Sequence, residues 1–195
     1  IGVRLVGSEM CIRDRKRLEN IQKKFKEKFG FKFIIIEDSA HAFGANAYGK
    51  QIGNTGNIST FSFQAIKHLT TVDGGCINFN FDEDVERAKL LRWYGIDRNE
   101  NRKDFRCESD IKNVGFKFHM NDVNAYIGQK NFKTVTEELL QIHVENGQYY
   151  NNHLKNTNKL ETMNYSNNFE IPYWIYTVKV KDLSLIHISE PTRRT

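Results

Sequence analysis

Proline is nearly absent from this 195-residue sequence, with two in all, and there are only three cysteines. So little proline excludes a collagen-like repeat or a stiff Pro-rich linker. Three cysteines exclude a disulfide-stapled scaffold. No C-x-x-C pair occurs, and His119, His143 and His153 lack ligand spacing with acidic residues, so no zinc centre or other metal site is expected. No apolar run reaches the roughly 18 residues of a membrane span, which excludes helical membrane spans. The charged, apolar and small-residue order of a secretory leader is missing as well. Internal repeats and low-complexity tracts are also absent. What is present is ordinary for a globular chain: 39% hydrophobic and 27% charged residues. The 29 basic and 24 acidic residues give +5 and a pI near 9.0, which at face value suggests a nucleic-acid partner.

Both ends differ from the rest. Leu5 to Arg15 reads LVGSEMCIRDR, and Leu183 to Arg193 reads LSLIHISEPTR. Written as codons, the first is CTC GTG GGC TCG GAG ATG TGT ATA AGA GAC AGx, and its reverse complement translates as the second. One stretch of DNA read on its two strands accounts for both ends, and that DNA resembles a transposon adapter used in sequencing-library preparation. Residues 1–15 and 183–195 are therefore expected to be non-native, and 16–182 to be an internal slice of a longer gene. Without the five Arg and three acidic residues of those ends, 24 basic and 21 acidic residues remain, a charge of +3. The basic pI then carries little weight, and no nucleic-acid partner is expected. Cys76 and Cys107 remain as separated thiols of a reducing, cytoplasmic setting.

Hydrophobic spacing organises 16–182 as an α/β chain. Leu18, Ile21, Phe25 and Phe29 recur at helical spacing, and Gly30 is placed to end that helix. The apolar run 31–37 (FKFIIIE) predicts a buried parallel strand, with Asp38 at its carboxyl end, where open α/β sheets carry ligand chemistry. Residues 44–56 read as turn. Residues 58–63 (ISTFSF) and 76–81 (CINFNF) predict a strand pair. Val85, Ala88 and Leu91 predict a helix over 83–94 with Asp82 as its cap. The charged 97–113 stretch reads as a long loop. Helices are expected over 121–129 and 135–154, turns over 151–168, and a strand over 173–180 (YWIYTVKV).

Chemistry concentrates in 34–75: an acid at a strand end, a His three residues on, then Ser62, Lys67, Thr70, Thr71 and paired glycines. A lysine can hold a carbonyl cofactor covalently, a carboxylate can keep a ring nitrogen protonated, and hydroxyls with backbone amides can bind phosphate. Spacing alone leaves that reading open.

Three ordered segments make it more specific: IIIEDSAHAFGA (34–45), GNTGNISTFSFQAIKHLTTVDGG (53–75) and GFKFHMNDVNAYIG (115–128). Together with LLRWYGIDR (90–98) and YWIYTVKVKD (173–182), they resemble the DegT/DnrJ/EryC1/StrS family of pyridoxal-phosphate-dependent sugar aminotransferases. The resemblance spans essentially all of 16–182. It implies a fold-type-I PLP-dependent transferase: residues 16–155 would be the second half of the large, PLP-binding domain with its connecting helices, and 156–182 the start of a small C-terminal domain. It implies pyridoxal 5'-phosphate as cofactor, a nucleotide-linked keto-deoxysugar substrate in polysaccharide or aminosugar biosynthesis, an amino-acid donor such as glutamate, and a homodimer. Lys67 would bind the cofactor covalently and carry protons. Asp38 would pair with the ring nitrogen, His41 would lie beside the ring, and Ser62 would hold the phosphate.

The sequence departs from the family pattern at three places. TTVDGG stands where the family has TTGEGG, so the turn at Val72 must avoid positive φ or carry strain. Lys117 stands where an Asn of the neighbouring subunit usually meets the phosphate, and would act there as a point charge. His119 replaces an Arg and receives no role. The basic stretch 98–106 reads as a solvated loop or as a contact for a diphosphate. Two rivals stay open: a dehydratase of the same fold, which has His in place of the lysine, and a non-catalytic regulatory homologue. Residues 16–182 alone are expected to aggregate or to bind the cofactor poorly, because sheet edges and apolar faces would lie bare.

Overall fold

The structure is a computed structural model that describes residues 15–98, 111, 113–163, 165 and 167–180. The expected non-native ends fall outside the described residues except Arg15, and so does nearly all of the 97–113 loop.

Helix α1 (Arg15–Phe29) forms where the apolar spacing predicts it. It stops at Gly30, whose φ of +82° lets its N–H reach the Lys26 carbonyl at 2.8 Å. The ring of Phe25 packs on Phe29, Phe31 and Phe33, which ties the helix to the chain that follows. At the other end, buried Arg15 pairs with Glu37, and the second carboxylate oxygen of Glu37 accepts from Asn57.

Strand β1 (Ile36–Asp38) is shorter than the apolar run 31–37. A strand is only as long as its ladder, and its parallel partner β4 (Ile58–Ser62) begins opposite Ile36. Ile34 and Ile36 are 74% and 65% exposed, so the expected burial of this strand is not present among the described residues. Strand β5 (Gly75–Asn78) pairs antiparallel with β4, completing the order β1-β4-β5 and the expected strand pair. It ends before the predicted 81 because Asn78 and Asn80 turn their side-chain amides onto the Gly53 and Gly56 carbonyls.

Between β1 and β4, strands β2 (Asn46–Ala47) and β3 (Lys50–Gln51) form a hairpin joined by β7 (Phe169–Glu170) from far along the chain. Ala42, Ala45, Ala47 and Ile52 are buried here under Tyr48, Phe61 and Phe169. This small core fixes the turn that follows Asp38.

Helix α2 is Asp82–Leu91. Its cap is Phe81, without a side-chain bond, rather than Asp82; Asp82, Glu83 and Asp84 instead favour the helix as charges in its first turn. Helix α3 (Asp122–Thr134) starts at Asn121, whose side chain accepts from the Asn124 N–H at 2.9 Å. The two helices expected over 121–154 are continuous: a π-helical turn, Val135–Leu139, joins α3 to α4 (Leu140–Leu154) around buried Val135. The polar 151–168 stretch holds β6 (Leu160–Thr162), which pairs with β8 (Val178–Val180). The strand expected over 173–180 is therefore only its last three residues, because Tyr173 takes φ +47° and breaks extended geometry. Among the described residues, no helix is long and apolar enough to cross a membrane.

Candidate active site

Asp38, His41 and Lys67 converge at the carboxyl end of β1. Asp38 is the last residue of β1, in register with Thr60 of β4. Its Oδ1 accepts from the Ala40 N–H at 3.2 Å, and the Ser39 N–H donates to the Thr60 carbonyl at 2.8 Å. That turn delivers His41. Lys67 lies in the loop from β4 to β5, whose first turn closes through Lys67 N–H to the Gln64 carbonyl at 2.9 Å.

The electrostatics of the three groups are linked. Burial pushes the Lys67 amine below the ordinary lysine range, and the Asp38 carboxylate opposes that shift. Burial also lowers His41, the Lys67 charge adds to it, and Asp38 works against both. A lowered lysine provides more neutral amine at a given pH, which nucleophilic attack and proton abstraction both require.

The loop beyond Lys67 has a defined shape. Thr71 is buried and donates to the Asp73 carbonyl at 2.7 Å, and Thr70 accepts from the Val72 N–H at 2.9 Å. Their hydroxyls therefore close the loop, although their residue type suggested phosphate binding. Val72 takes φ +71°, so the turn carries strain instead of avoiding it. A Cβ on Gly75 would lie 2.4 Å from the Phe61 carbonyl oxygen, so that position requires glycine. Helix α3 braces the loop through Asn131 to the Thr70 carbonyl at 3.1 Å and Asn124 to the Asp73 carbonyl at 3.0 Å.

Ser62 ends β4, on the strand next to Asp38, and its Oγ accepts from the Gln64 N–H at 3.4 Å. That bond leaves its own hydroxyl hydrogen for a ligand. Lys117 is not brought to this cluster. It forms an isolated antiparallel bridge with Trp93, just after α2, and its neighbours in sequence, Phe116 and Phe118, are exposed and stack on each other. His119 packs edge-on against Trp93, with ring centres 3.9 Å apart.

One neighbour of Lys67, Trp174, escaped the sequence reading. The Lys67 Nζ lies 3.8 Å from the centre of the Trp174 ring, and the His41 ring lies 3.9 Å from the same indole. His68 points elsewhere: its Nε2 donates to the Pro172 carbonyl at 3.0 Å, and its ring meets His143 at 4.8 Å. Burial and the neighbouring His143 push His68 down to about 4, against the pull of the Pro172 bond. Trp174 lies 107 positions from Lys67 in the sequence, and no local signal connects them.

A family model described as the DegT/DnrJ/EryC1/StrS aminotransferase family matches residues 17–188. GDP-perosamine synthase of Caulobacter vibrioides is 33% identical over 147 residues, covering 75% of this chain and 38% of that protein. Among solved structures, AtS13 from Actinomadura melliaura has a TM-score of 0.82 at 42% identity, covering 90% of this chain and 46% of that one. The sugar aminotransferase CalS13 from Micromonospora echinospora has 0.80 at 31%, covering 89% and 46%. The chain thus spans less than half the length of the proteins it matches. Its architecture over that span is that of fold-type-I PLP-dependent transferases, as the sequence resemblance implied. With the match running over 17–188, the chain belongs to the DegT/DnrJ/EryC1/StrS aminotransferase family.

Proposed function

We propose that this chain is an internal part of a pyridoxal-phosphate-dependent sugar aminotransferase. The whole enzyme transfers an amino group, from an amino acid such as glutamate, to the keto carbon of a nucleotide-linked deoxysugar. The observation that carries this reading is the meeting of Asp38, His41 and Lys67 at one strand end, with the lysine amine lowered by burial.

These groups fit the cofactor. A lowered amine, a carboxylate and an imidazole share one space, and the Ser62 hydroxyl ends the adjacent strand. Pyridoxal phosphate, when bound, supplies an electrophilic carbonyl carbon and a ring that draws electrons from the reacting centre. Lys67 would hold the cofactor through its neutral amine and would take up and return the proton that moves between the two carbons flanking the transferred nitrogen. The Asp38 carboxylate would pair with the ring nitrogen and favour a proton there. His41, held neutral by its lowered affinity for protons, packs at the ring without adding charge. Ser62 donates to the phosphate. Lys117, which makes no contact with Lys67 among the described interactions, would serve the site of a second subunit in a homodimer.

The dehydratase reading places a His at the lysine position, and His68 is the adjacent residue. Its engagement with Pro172 and His143, away from Asp38, favours Lys67. The deciding assay incubates the full-length protein and cofactor with glutamate and UDP- or GDP-linked keto-deoxysugars. An amino sugar together with 2-oxoglutarate is expected. Loss of water from the sugar without amine transfer overturns the reading.

A further inference from the structure

The roles given to Lys67 leave one close neighbour of its amine without a part. That neighbour, Trp174, comes from the far end of the described chain. We propose that Trp174 is a positioning residue of the reaction: its indole fixes the Lys67 amine and the His41 ring relative to each other. The proposal rests on Lys67 being the cofactor lysine, and it deepens that reading.

Three observations carry it. The first is contact on two sides, since Trp174 lies 3.8 Å from Lys67 Nζ and 3.9 Å from the His41 ring. In its protonated form, a lysine head group over an indole face is held by the ring quadrupole, most strongly where water is excluded. The second is the indole N–H, which donates to the Ile66 carbonyl at 2.6 Å. Trp174 therefore grips both the backbone just before the lysine and the lysine head group. The third is the anchoring of the segment that delivers it. Pro172 is buried, and its carbonyl accepts from His68. The Tyr173 ring fills the space a Cβ on Gly147 would need, at 2.4 Å. Asn151 of α4 donates to the Tyr173 hydroxyl at 3.0 Å and accepts from the Tyr176 hydroxyl at 2.7 Å. The indole is thus pinned to a helix on one side and to the lysine loop on the other, which a surface tryptophan does not need.

The test uses the full-length protein with Trp174→Phe, which keeps a π face but loses the N–H, and Trp174→Leu, which loses both. In cofactor-free protein, reductive methylation followed by peptide mass spectrometry reads the labelling rate of Lys67 against exposed Lys24. The rate is expected to rise about two- to threefold for Phe and about tenfold for Leu. In loaded enzyme, kcat falls in the same order while KM for the amino donor changes by less than about twofold. Equal labelling in wild type, Phe and Leu chains overturns the proposal. If the Leu chain fails to fold, an unchanged Lys67 rate in the Phe chain overturns it alone. Borohydride reduction of loaded wild type separates the two readings. Cofactor attached elsewhere than Lys67 removes the assignment of Lys67 as the cofactor lysine and leaves the methylation result intact. Cofactor on Lys67 with a flat variant series removes only the role of Trp174.

Discussion

Lys67 and Lys117 are both lysines expected at one cofactor, yet they stand in opposite kinds of surroundings. Lys67 lies in a loop closed by its own hydroxyls, braced by α3 and faced by Asp38, His41 and Trp174. Lys117 lies on an extended segment beside Phe118, which is 76% exposed, and Val114, which is 81% exposed. The first region brings its polar side chains together within one chain. The second presents apolar side chains and a charge outward, which suits a surface finished by another molecule. On the proposed reading, the difference separates a residue that would carry the reaction from one that would complete a partner's site.

The largest test of this contrast is Lys67→Ala. Turnover should fall by at least about 10³-fold, measured as amino-sugar formation, because both nucleophile and proton carrier are lost. A milder loss would remove the distinction between the lysines. Next is Asp38→Asn, which keeps the shape and removes the charge facing the amine. Turnover should drop on the order of 10²-fold, and an unchanged rate would show that the carboxylate has no electronic part.

Acidification probes the well-knit side alone. In the folded chain His68 is lowered from 6.5 to about 4, so the unfolded chain takes up that proton first. The stabilisation from neutral His68 is complete above about pH 6.5 and is lost as pH falls towards 4, on the order of 2 kcal/mol after discounting for partial burial. Denaturant midpoints of wild type and His68→Asn should therefore converge over that window, and parallel curves would contradict the pairing of His68.

Lys117→Ala should weaken cofactor binding about tenfold without changing where the cofactor attaches, as one charged hydrogen bond would. Mixed dimers sharpen this. A Lys117→Ala chain paired with a Lys67→Ala chain should leave one site with both lysines and undiminished cofactor affinity, and a roughly tenfold weaker affinity at the remaining active site would place the two residues in the same chain's site. The smallest effect is expected at Val72→Asn. Asparagine accepts positive φ more readily than valine, so stability should rise by about 1 kcal/mol in thermal unfolding.

Much of the site was legible in the sequence. Asp38 and Lys67 are readable because each belongs to a short motif whose strand and loop form locally, and the structure places Asp38 at the end of β1 and Lys67 in the loop between β4 and β5. Val72 was readable as a choice between two turn forms, since backbone sterics limit a β-branched residue; only coordinates select the strained one. The shortened β1 was not readable, because strand length depends on a partner more than twenty positions away. The hydroxyls of Thr70 and Thr71 look alike in sequence whether they face a phosphate or a carbonyl. Trp174 was hidden for a different reason: its segment reads as a strand by residue type, while positive φ at Tyr173 bends it towards Lys67.

The central claim is that Lys67 holds the cofactor while Lys117 only assists. The most direct measurement is borohydride reduction of the full-length protein loaded with pyridoxal phosphate, followed by peptide mapping. The account predicts a reduced adduct on Lys67, in the peptide containing FSFQAIK, with Lys117 unmodified. An adduct on Lys117 or another lysine, or none at all, would contradict it.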